Sequence, residues 1–143
     1  MKTSQLIIWI ILVLLILFAI NFSLDKTIVN DPEQGCPGRV EGNVNASFTI
    51  KYIYSPSCHY CQEQSPILDS LVEKYGDNFK LEYYNIGECL EISDYYGVRA
   101  TPYFIFHIDK EGEPDEIEHP GFIEQELLEG AVCEVTNCTE EEI

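Results

Sequence analysis

The chain carries apolar and polar residues in an order that predicts alternating strands and helices. An unbroken apolar run occupies residues 6–20. Residues 48–54 and 103–108 are rich in β-branched and aromatic side chains and lie between turn-forming residues, which is typical of strands. Residues 61–75 place apolar side chains three and four positions apart, which predicts an amphipathic helix. This alternation indicates an α/β domain.

Further elements are predicted downstream. Residues 79–86 have the composition of a parallel strand, and residues 88–96 that of a short helix that stops at Gly97. Residues 110–113 predict a hairpin turn, and residues 115–119 an antiparallel edge strand. With the two strands above, this gives a central mixed sheet of four strands. A final helix is expected at residues 122–133, with an inward face formed by Phe122, Ile123, Leu127, Leu128, Ala131 and Val132.

The N-terminal apolar run predicts a transmembrane anchor at residues 6–24. Roughly 20 residues span the hydrocarbon core of a bilayer. A cleaved signal peptide is the alternative, but Ala19 and Ser23 do not have the spacing of a cleavage site. Lys2 is the only charged side chain before the run. It places residues 1–5 in the cytoplasm and the rest of the chain on the outer side.

The remainder divides into three parts. Residues 25–47 are rich in proline, glycine and asparagine without a sustained period, so we interpret them as a stalk with one short strand near residues 39–44. Residues 48–135 form the folded domain, and residues 136–143 an acidic tail. The net charge is −17, which argues against binding of nucleic acid or anionic lipid. Such a surface either attracts a basic partner or is simply well solvated.

The chemistry is concentrated at Cys58 and Cys61, where the first strong strand meets the helix. A Cys-x-x-Cys at such a junction is typical of a redox-active dithiol. Cys58 lies at the helix N-terminus, where unpaired N–H groups and the helix dipole favour a thiolate. A static disulfide and half of a zinc site are the alternatives. Gln62 follows the second cysteine where haem attachment requires histidine, so that interpretation fails.

At these residues the chain resembles the thioredoxin superfamily. Pro66 lies inside the predicted helix, where it should produce a kink. The segment 95–102, which ends in Thr101-Pro102, looks like the family's segment that carries a cis-proline. The resemblance covers roughly residues 48–133. It implies a three-layer thioredoxin-like fold, in which a central four-stranded mixed sheet is flanked by helices, and a thiol–disulfide oxidoreductase activity.

The resemblance also implies roles for the site residues. Cys58 would attack a substrate disulfide, and Cys61 would resolve the mixed disulfide; run backward, the pair donates its disulfide to a client. Thr101, beside a cis Pro102, would offer its backbone to an extended substrate, and Tyr60 would contact that substrate. A trans proline that opens the next strand is the alternative for Pro102.

The neighbours of the dithiol favour an oxidase or isomerase over a reductase. A charged His59 would stabilise the Cys58 thiolate, although an incidental exposed histidine is the alternative. Thioredoxins carry a buried acid and a lysine beneath the dithiol, and those positions hold Tyr52 and Tyr83 here. Tyrosine, with a pKa of about 10, does not accept a proton near neutral pH. Glu63 and Glu82 are substitutes for that acid, but both are expected at the surface.

Six cysteines in a short chain, together with the predicted export, indicate an oxidising compartment. Four of them remain outside the Cys-x-x-Cys motif. Cys133 and Cys138 are close in sequence and could staple the C-terminus, and Cys36 could then pair with Cys89. Two structural disulfides are therefore expected. An auxiliary redox pair that passes electrons to the main dithiol and a zinc site are the alternatives.

The sequence thus predicts a membrane-anchored thioredoxin-like domain on the extracytoplasmic side, which needs no cofactor or metal. Its partners would be proteins with thiols or disulfides and a membrane redox partner that resets the dithiol. A binding module without turnover is the main alternative. A peroxide-reducing enzyme is a further alternative, and no residue pattern points to it.

Overall fold

The computed structural model describes residues 36, 38–109 and 115–138. Within these residues lie five strands and three helices. They are β1 (Arg39–Gly42), β2 (Phe48–Tyr54), α1 (His59–Tyr75), β3 (Lys80–Asn85), α2 (Leu90–Tyr95), β4 (Tyr103–Ile108), β5 (Asp115–Pro120) and α3 (Gln125–Thr136). The predicted anchor and the hairpin turn at residues 110–113 lie outside this part of the chain. None of the helices described is long and apolar enough to cross a membrane.

The sheet is mixed and has five strands, in the order β1-β3-β2-β4-β5. β2 and β3 are parallel, and the other three pairs are antiparallel. The prediction of four strands was wrong by one. The short strand expected near residues 39–44 is present as β1, and it pairs with β3 instead of remaining in a free stalk. This pairing satisfies N–H and C=O groups that β3 would otherwise leave open at an edge.

Helices on both faces give the fold its three layers. α1 and α3 pack on one face, over a core that includes Phe48, Ile50 and Tyr52 of β2. α2 covers the other face with a smaller core around Ile53 and Ile92. These side chains are almost fully buried, and each contributes about 1.5–3 kcal/mol by leaving water. The predicted layering is therefore confirmed.

Helix α1 begins two residues before the predicted start, because Cys58 caps it. Its apolar stripe is as expected, with Leu68 and Leu71 fully buried and Ile67 partly so. Pro66 lies inside the helix. The pattern of apolar spacing therefore located the core-facing side of this helix correctly.

Helix α3 starts three residues later than predicted, at Gln125. Residues 122–124 precede it, and Glu124 has an extended backbone. Leu128 faces the core, whereas Leu127 is 66% exposed and Phe122 is 37% exposed. The expected inward positions of these two residues were wrong, because adjacent helical residues point about 100° apart and Phe122 is not in the helix.

One disulfide joins Cys36 to Cys89, with their Cα atoms 5.5 Å apart. It is the pairing that the sequence favoured, and it ties the segment before β1 to the residue that precedes α2. Cys133 and Cys138 are separate thiols in this structure, so the second expected disulfide is not seen among the described residues and that pairing stays a prediction. The end of α3 is held instead by hydrogen bonds such as that from Thr136 Oγ1 to the Val132 carbonyl, at 2.8 Å.

Candidate active site

Cys58 caps the N-terminus of α1. Its backbone is extended (φ −82°, ψ 119°), and its sulfur accepts a hydrogen bond from the N–H of Cys61 at 3.2 Å. The backbone N–H of Cys58 donates to the carbonyl of Ser55 at 3.0 Å, which closes the turn between β2 and α1. The sulfur is therefore aimed at the unpaired N–H groups of the helix end, where a negative charge is stabilised.

This placement lowers the pKa of Cys58. Partial burial alone would raise it, but hydrogen bonds from the Cys61 and Thr101 side chains and from the backbone N–H groups of Cys61 and Tyr60 outweigh that effect. These donors favour the charged form of the sulfur. When it is protonated, the thiol donates to the Thr101 carbonyl at 3.2 Å. The sulfur therefore has a hydrogen-bond partner in both protonation states.

Cys61 differs from Cys58 in its environment. Its side chain is only 3% exposed. Burial and the hydrogen bond to Cys58 raise its pKa. The two cysteines therefore divide the roles of a dithiol, because one is a stabilised and partly exposed thiolate while the other is a buried thiol in contact with it. Both are thiols here, so the structure represents the reduced pair.

The loop from α2 to β4 brings Thr101 and Pro102 to the dithiol. Gly97, with a φ of +63°, follows the short helix in a backbone conformation that residues other than glycine rarely adopt. The Thr101–Pro102 peptide bond is cis, the geometry that the resemblance implied. The Pro102 carbonyl accepts from the N–H of Gly121 at 2.8 Å, which fixes the loop to the residue after β5.

Tyrosines lie beneath the dithiol in the positions expected from the sequence. Tyr52 donates from its hydroxyl to the carbonyl of Cys61 at 3.2 Å. Burial and its contact with Cys61 raise the pKa of Tyr52 far above its ordinary value. Burial likewise raises the pKa of Tyr83, whose hydroxyl donates to Glu41 at 3.0 Å. Both groups therefore stay protonated and cannot accept a proton from Cys61.

A small cavity opens beside these tyrosines. Its volume is about 160 Å³, and it is lined by Arg39, Tyr52, Tyr54, Ser65, Asp69 and Tyr83. The Arg39 guanidinium lies 4.2 Å from the centre of the Tyr83 ring. β1 therefore contributes to the surroundings of the tyrosines beneath the dithiol, which the sequence did not suggest for a segment assigned to a stalk.

Three other predicted residues have different outcomes. His59 lies with its Nε2 atom 3.2 Å from Glu63, on an exposed turn of α1. Its role in tuning Cys58 stays a prediction. Glu63 is on the surface, as expected. Glu82 was also expected there, but it is buried and accepts from Tyr84 at 2.9 Å. It pairs with Lys51 of β2 on the sheet face opposite α1, so it cannot serve Cys61.

Gln64 is a site-supporting residue that sequence reasoning missed. Its side chain has no exposed surface. Its amide donates to the carbonyl of Ile123 at 3.0 Å and accepts from the N–H of the same residue at 2.9 Å. A signal was present, because Gln64 lies four residues before Leu68 and hence on the buried stripe of α1. It fastens the loop before α3 to the active-site helix.

An exposed aromatic side chain lies between the two cysteines in sequence. Tyr60, next to Cys61 in sequence, is 59% exposed, and Phe122 follows Gly121, which is bonded to Pro102. Among the described residues, no cluster of three or more His, Cys, Asp or Glu side chains is placed to hold a metal ion. Tyr60 thus gives the surface around Cys58 an exposed aromatic rim beside a reactive sulfur.

Solved structures share this fold. A mutant thioredoxin from Halobacterium salinarum is 21% identical, with a TM-score of 0.55, and the match covers 66% of this chain and 79% of that one. Chloroplastic thioredoxin z is 14% identical, with a TM-score of 0.59 and coverage of 66% and 82%. Thioredoxin-2 of the malaria parasite is 18% identical, with a TM-score of 0.57 and coverage of 64% and 86%.

Sequence relatives agree with the fold. A chloroplastic M-type thioredoxin of wheat, Triticum aestivum, is 29% identical over 86 residues, which are 60% of this chain and 42% of the wheat protein. The match therefore spans less than half the length of that relative. The sequence model of the Thioredoxin family matches residues 41–131, a range that contains the dithiol, the cis-proline and most of the sheet. The chain belongs to the thioredoxin family.

Proposed function

We propose that this chain catalyses thiol–disulfide exchange on protein substrates through Cys58 and Cys61. The observation that carries the proposal is the capping geometry of Cys58, whose sulfur accepts from the Cys61 N–H at 3.2 Å beside the Thr101 carbonyl. A lowered thiol pKa at a partly exposed helix N-terminus is the property of a reactive cysteine. Thioredoxin relatives, which are thiol–disulfide oxidoreductases, support the same enzyme class.

The exchange proceeds in two balanced steps. In the oxidising direction, a substrate thiolate attacks the Cys58–Cys61 disulfide, forms a bond to Cys58 and releases Cys61 as a thiolate that takes up a proton. A second substrate thiolate then attacks the substrate sulfur of the mixed disulfide and releases Cys58 as a thiolate. Two electrons pass from the substrate to the dithiol. The reverse sequence reduces a substrate disulfide, with Cys61 as the attacking group in the second step.

Two features support the oxidising direction, or isomerisation, over reduction. The stabilised Cys58 thiolate makes the reduced dithiol more stable, and a stable reduced form makes the pair a stronger oxidant. Reduction also needs Cys61 to lose its proton, and its pKa is raised. Tyr52 stays protonated beneath it and offers no base for that step. Release of Cys61 as a leaving group needs no such base, and the raised pKa of Cys61 slows this step only by making it a poorer leaving group.

The proposed setting is the extracytoplasmic face of a membrane. Residues 6–24, in which only Asn21 and Ser23 are polar, support an anchor. The Cys36–Cys89 disulfide supports an oxidising compartment, because structural disulfides are rare where thiols are kept reduced. Protein substrates would dock over the rim that includes Tyr60. A membrane redox partner would reset the dithiol after each turnover.

Trapping separates this enzyme from a binding module that holds partners without turnover. In the full-length chain, Cys61→Ala should accumulate mixed disulfides between Cys58 and client proteins, visible as adducts that dithiothreitol releases. Cys58→Ala is the matched control and should form none. A chain that only binds would give no covalent adducts with either variant.

The reduction potential of the Cys58–Cys61 pair tests the direction. The full-length chain would be equilibrated with glutathione buffers, and the dithiol state read by alkylation and mass. A value of roughly −120 to −180 mV is expected, as for oxidases and isomerases. A value of about −270 mV would place the pair with reducing thioredoxins and overturn the proposed direction. A pair that does not cycle would favour the binding module.

A further inference from the structure

A second pair of thiols lies at the end of the last helix. Cys133 is on α3, and Cys138 follows its end by two residues. Both are thiols, and both are partly buried against the larger core. Their side chains interact with each other. The reaction proposed above uses neither of them.

The helix end itself presents these two thiols to each other. Asn137, which follows α3, has a left-handed backbone with φ 53° and ψ 48°. A left-handed residue at this position folds the chain back, so that the next side chain contacts the residue five positions earlier. These two residues are Cys138 and Cys133. The contact therefore depends on local backbone geometry, which brings the two side chains together at the helix end.

The surroundings distinguish the two sulfurs. The Cys138 sulfur lies 3.9 Å from Asn78 Nδ2 and 3.3 Å from Thr136 Oγ1. Burial and the contact with Cys138 raise the pKa of Cys133. Cys138 is therefore suited to attack first and Cys133 to follow.

This pair cannot exchange directly with the dithiol of its own chain. Cys133 contacts Tyr75 and Cys138 contacts Asn78, at the C-terminal end of α1. Cys58 caps the other end of that helix. At about 1.5 Å per residue, the 17 residues of α1 separate its ends by about 25 Å. Sulfur atoms must touch to exchange, so any oxidant of this pair belongs to another molecule.

We propose that Cys133 and Cys138 form a second redox couple, which exchanges with disulfides and thiols of other molecules. The Cys138 thiolate attacks a disulfide R–S–S–R, forms a Cys138–S–R bond and releases one R–S⁻. Cys133 loses its proton and attacks the Cys138 sulfur, which forms the Cys133–Cys138 bond and releases the second R–S⁻. Two electrons pass to R–S–S–R, and the released thiolates take up the two protons. The disulfide is either a small one such as oxidised glutathione or the oxidised dithiol of a second copy.

The test uses the full-length chain with Cys58→Ser and Cys61→Ser, so that its outcome does not depend on the proposed function. The protein is equilibrated in glutathione buffers, quenched with acid and alkylated, and its disulfides are mapped by peptide mass. Cys133 and Cys138 should lose reactivity together and appear in a linked peptide without bound glutathione. Full alkylation of both at every glutathione ratio, or stable glutathione adducts, would overturn the proposal.

A second arm identifies the source of the disulfide. The oxidised wild-type chain, freed of glutathione, is mixed with the reduced double variant. Formation of the Cys133–Cys138 disulfide in the variant would assign the oxidant to a second copy, and its formation only with oxidised glutathione would assign it to the small disulfide. In the wild-type chain alone, oxidation of this pair by its own dithiol at a rate independent of protein concentration would overturn exchange between molecules.

Variants at Asn137 test the geometric basis. Asn137→Gly preserves the left-handed conformation and should leave the equilibrium constant with glutathione unchanged. Asn137→Val disfavours that conformation, because a left-handed backbone is costly for a β-branched residue. The constant for disulfide formation should then fall by roughly 5- to 30-fold. An equal constant in both variants would refute the role of the helix end.

Discussion

Tyr52 lies at the position where thioredoxins are expected to carry a buried acid. Replacing Tyr52 with phenylalanine tests whether its hydroxyl takes part in the chemistry of the dithiol. Tyr52→Phe removes only the hydroxyl, which donates to the Cys61 carbonyl at 3.2 Å. The ring stays among its aromatic neighbours, with the Phe104 centroid at 5.0 Å and that of Tyr83 at 5.7 Å. The change therefore isolates one hydrogen-bonding group beneath the dithiol.

The expected loss of stability is small. A hydrogen bond of this kind contributes about 0.5–1.5 kcal/mol. The Cys61 carbonyl also accepts from Ser65 Oγ at 3.1 Å, so it is not left unpaired in the variant. A loss of about 1 kcal/mol is expected, which lowers the melting temperature by about 4–8 °C for a small domain. Thermal unfolding of the reduced chain measures it.

The effect on chemistry should also be modest. In the reduced chain the hydroxyl donates to the Cys61 carbonyl, and it also interacts with the Cys61 side chain, so we expect it to turn toward that sulfur when the thiolate forms. Because burial raises the pKa of Tyr52, the hydroxyl acts as a donor and accepts no proton. Losing a donor worth about 1 kcal/mol lowers the thiolate population about fivefold. The attack of Cys61 on a mixed disulfide at Cys58 should slow by a similar factor, as followed by stopped flow across pH.

Tyr83→Phe is the matched control. It makes the same chemical change on the neighbouring strand, but its hydroxyl donates to Glu41 and not to Cys61. It should leave the attack of Cys61 unchanged. A loss of more than 100-fold in Tyr52→Phe would show that Tyr52 accepts the proton, and the reasoning from its raised pKa would then be wrong. Equal slowing in both variants would exclude a specific contact.

Three further predictions follow from the same structure. Gln64→Leu leaves the buried N–H and carbonyl of Ile123 unpaired and should cost about 2–4 kcal/mol in urea unfolding; a cost under about 0.5 kcal/mol would contradict it. Replacing Cys36 and Cys89 with serine opens a link across 53 residues and should cost about 4 kcal/mol, and an unchanged urea midpoint would refute it. The lowered pKa of Cys58 predicts that its alkylation rate rises with pH to a midpoint below that of an ordinary thiol. The stability that this thiolate adds to the reduced chain is fully present above the pKa of an ordinary thiol and is lost as pH falls through the lowered pKa of Cys58. An alkylation midpoint at or above the ordinary thiol pKa would contradict the lowered pKa of Cys58.

Strong local patterns predicted most of the sheet and the active-site helix. The bounds predicted for β2 and β4 match those observed, because β-branched and aromatic residues are concentrated in them between turn formers. The predicted start of α3 was three residues too early, because Phe122 and Ile123 continue the apolar period of that helix into the loop before it. A tertiary hydrogen bond from Gln64 holds this loop, and spacing in one segment does not report such a bond.

The candidate site shows the same division between local and tertiary information. The roles of Cys58 and Cys61 could be predicted from the sequence, because the two residues lie at the junction of a strand and a helix. Glu82 is adjacent to Tyr83 in β3, so the alternation of a strand puts it on the opposite face, which excludes it as a base for Cys61. The contribution of Arg39 to the cavity could be predicted only from the pairing of β1 with β3. A four-residue strand in a segment rich in turn formers gives little indication of which strand it pairs with.

The two features that favour an oxidising dithiol act on different quantities and can fail separately. Stabilisation of the Cys58 thiolate is thermodynamic, because it changes the free energy of the reduced pair and hence the potential. The effect of the protonated Tyr52 is kinetic, because it changes how fast Cys61 loses its proton and leaves the reduction potential almost unchanged. A reducing potential together with a slow Cys61 step would therefore mean that the helix end stabilises the thiolate less than its hydrogen bonds suggest. An oxidising potential with a fast Cys61 step would mean that another group or solvent takes the proton. Measuring both on the same chain assigns each feature its own effect.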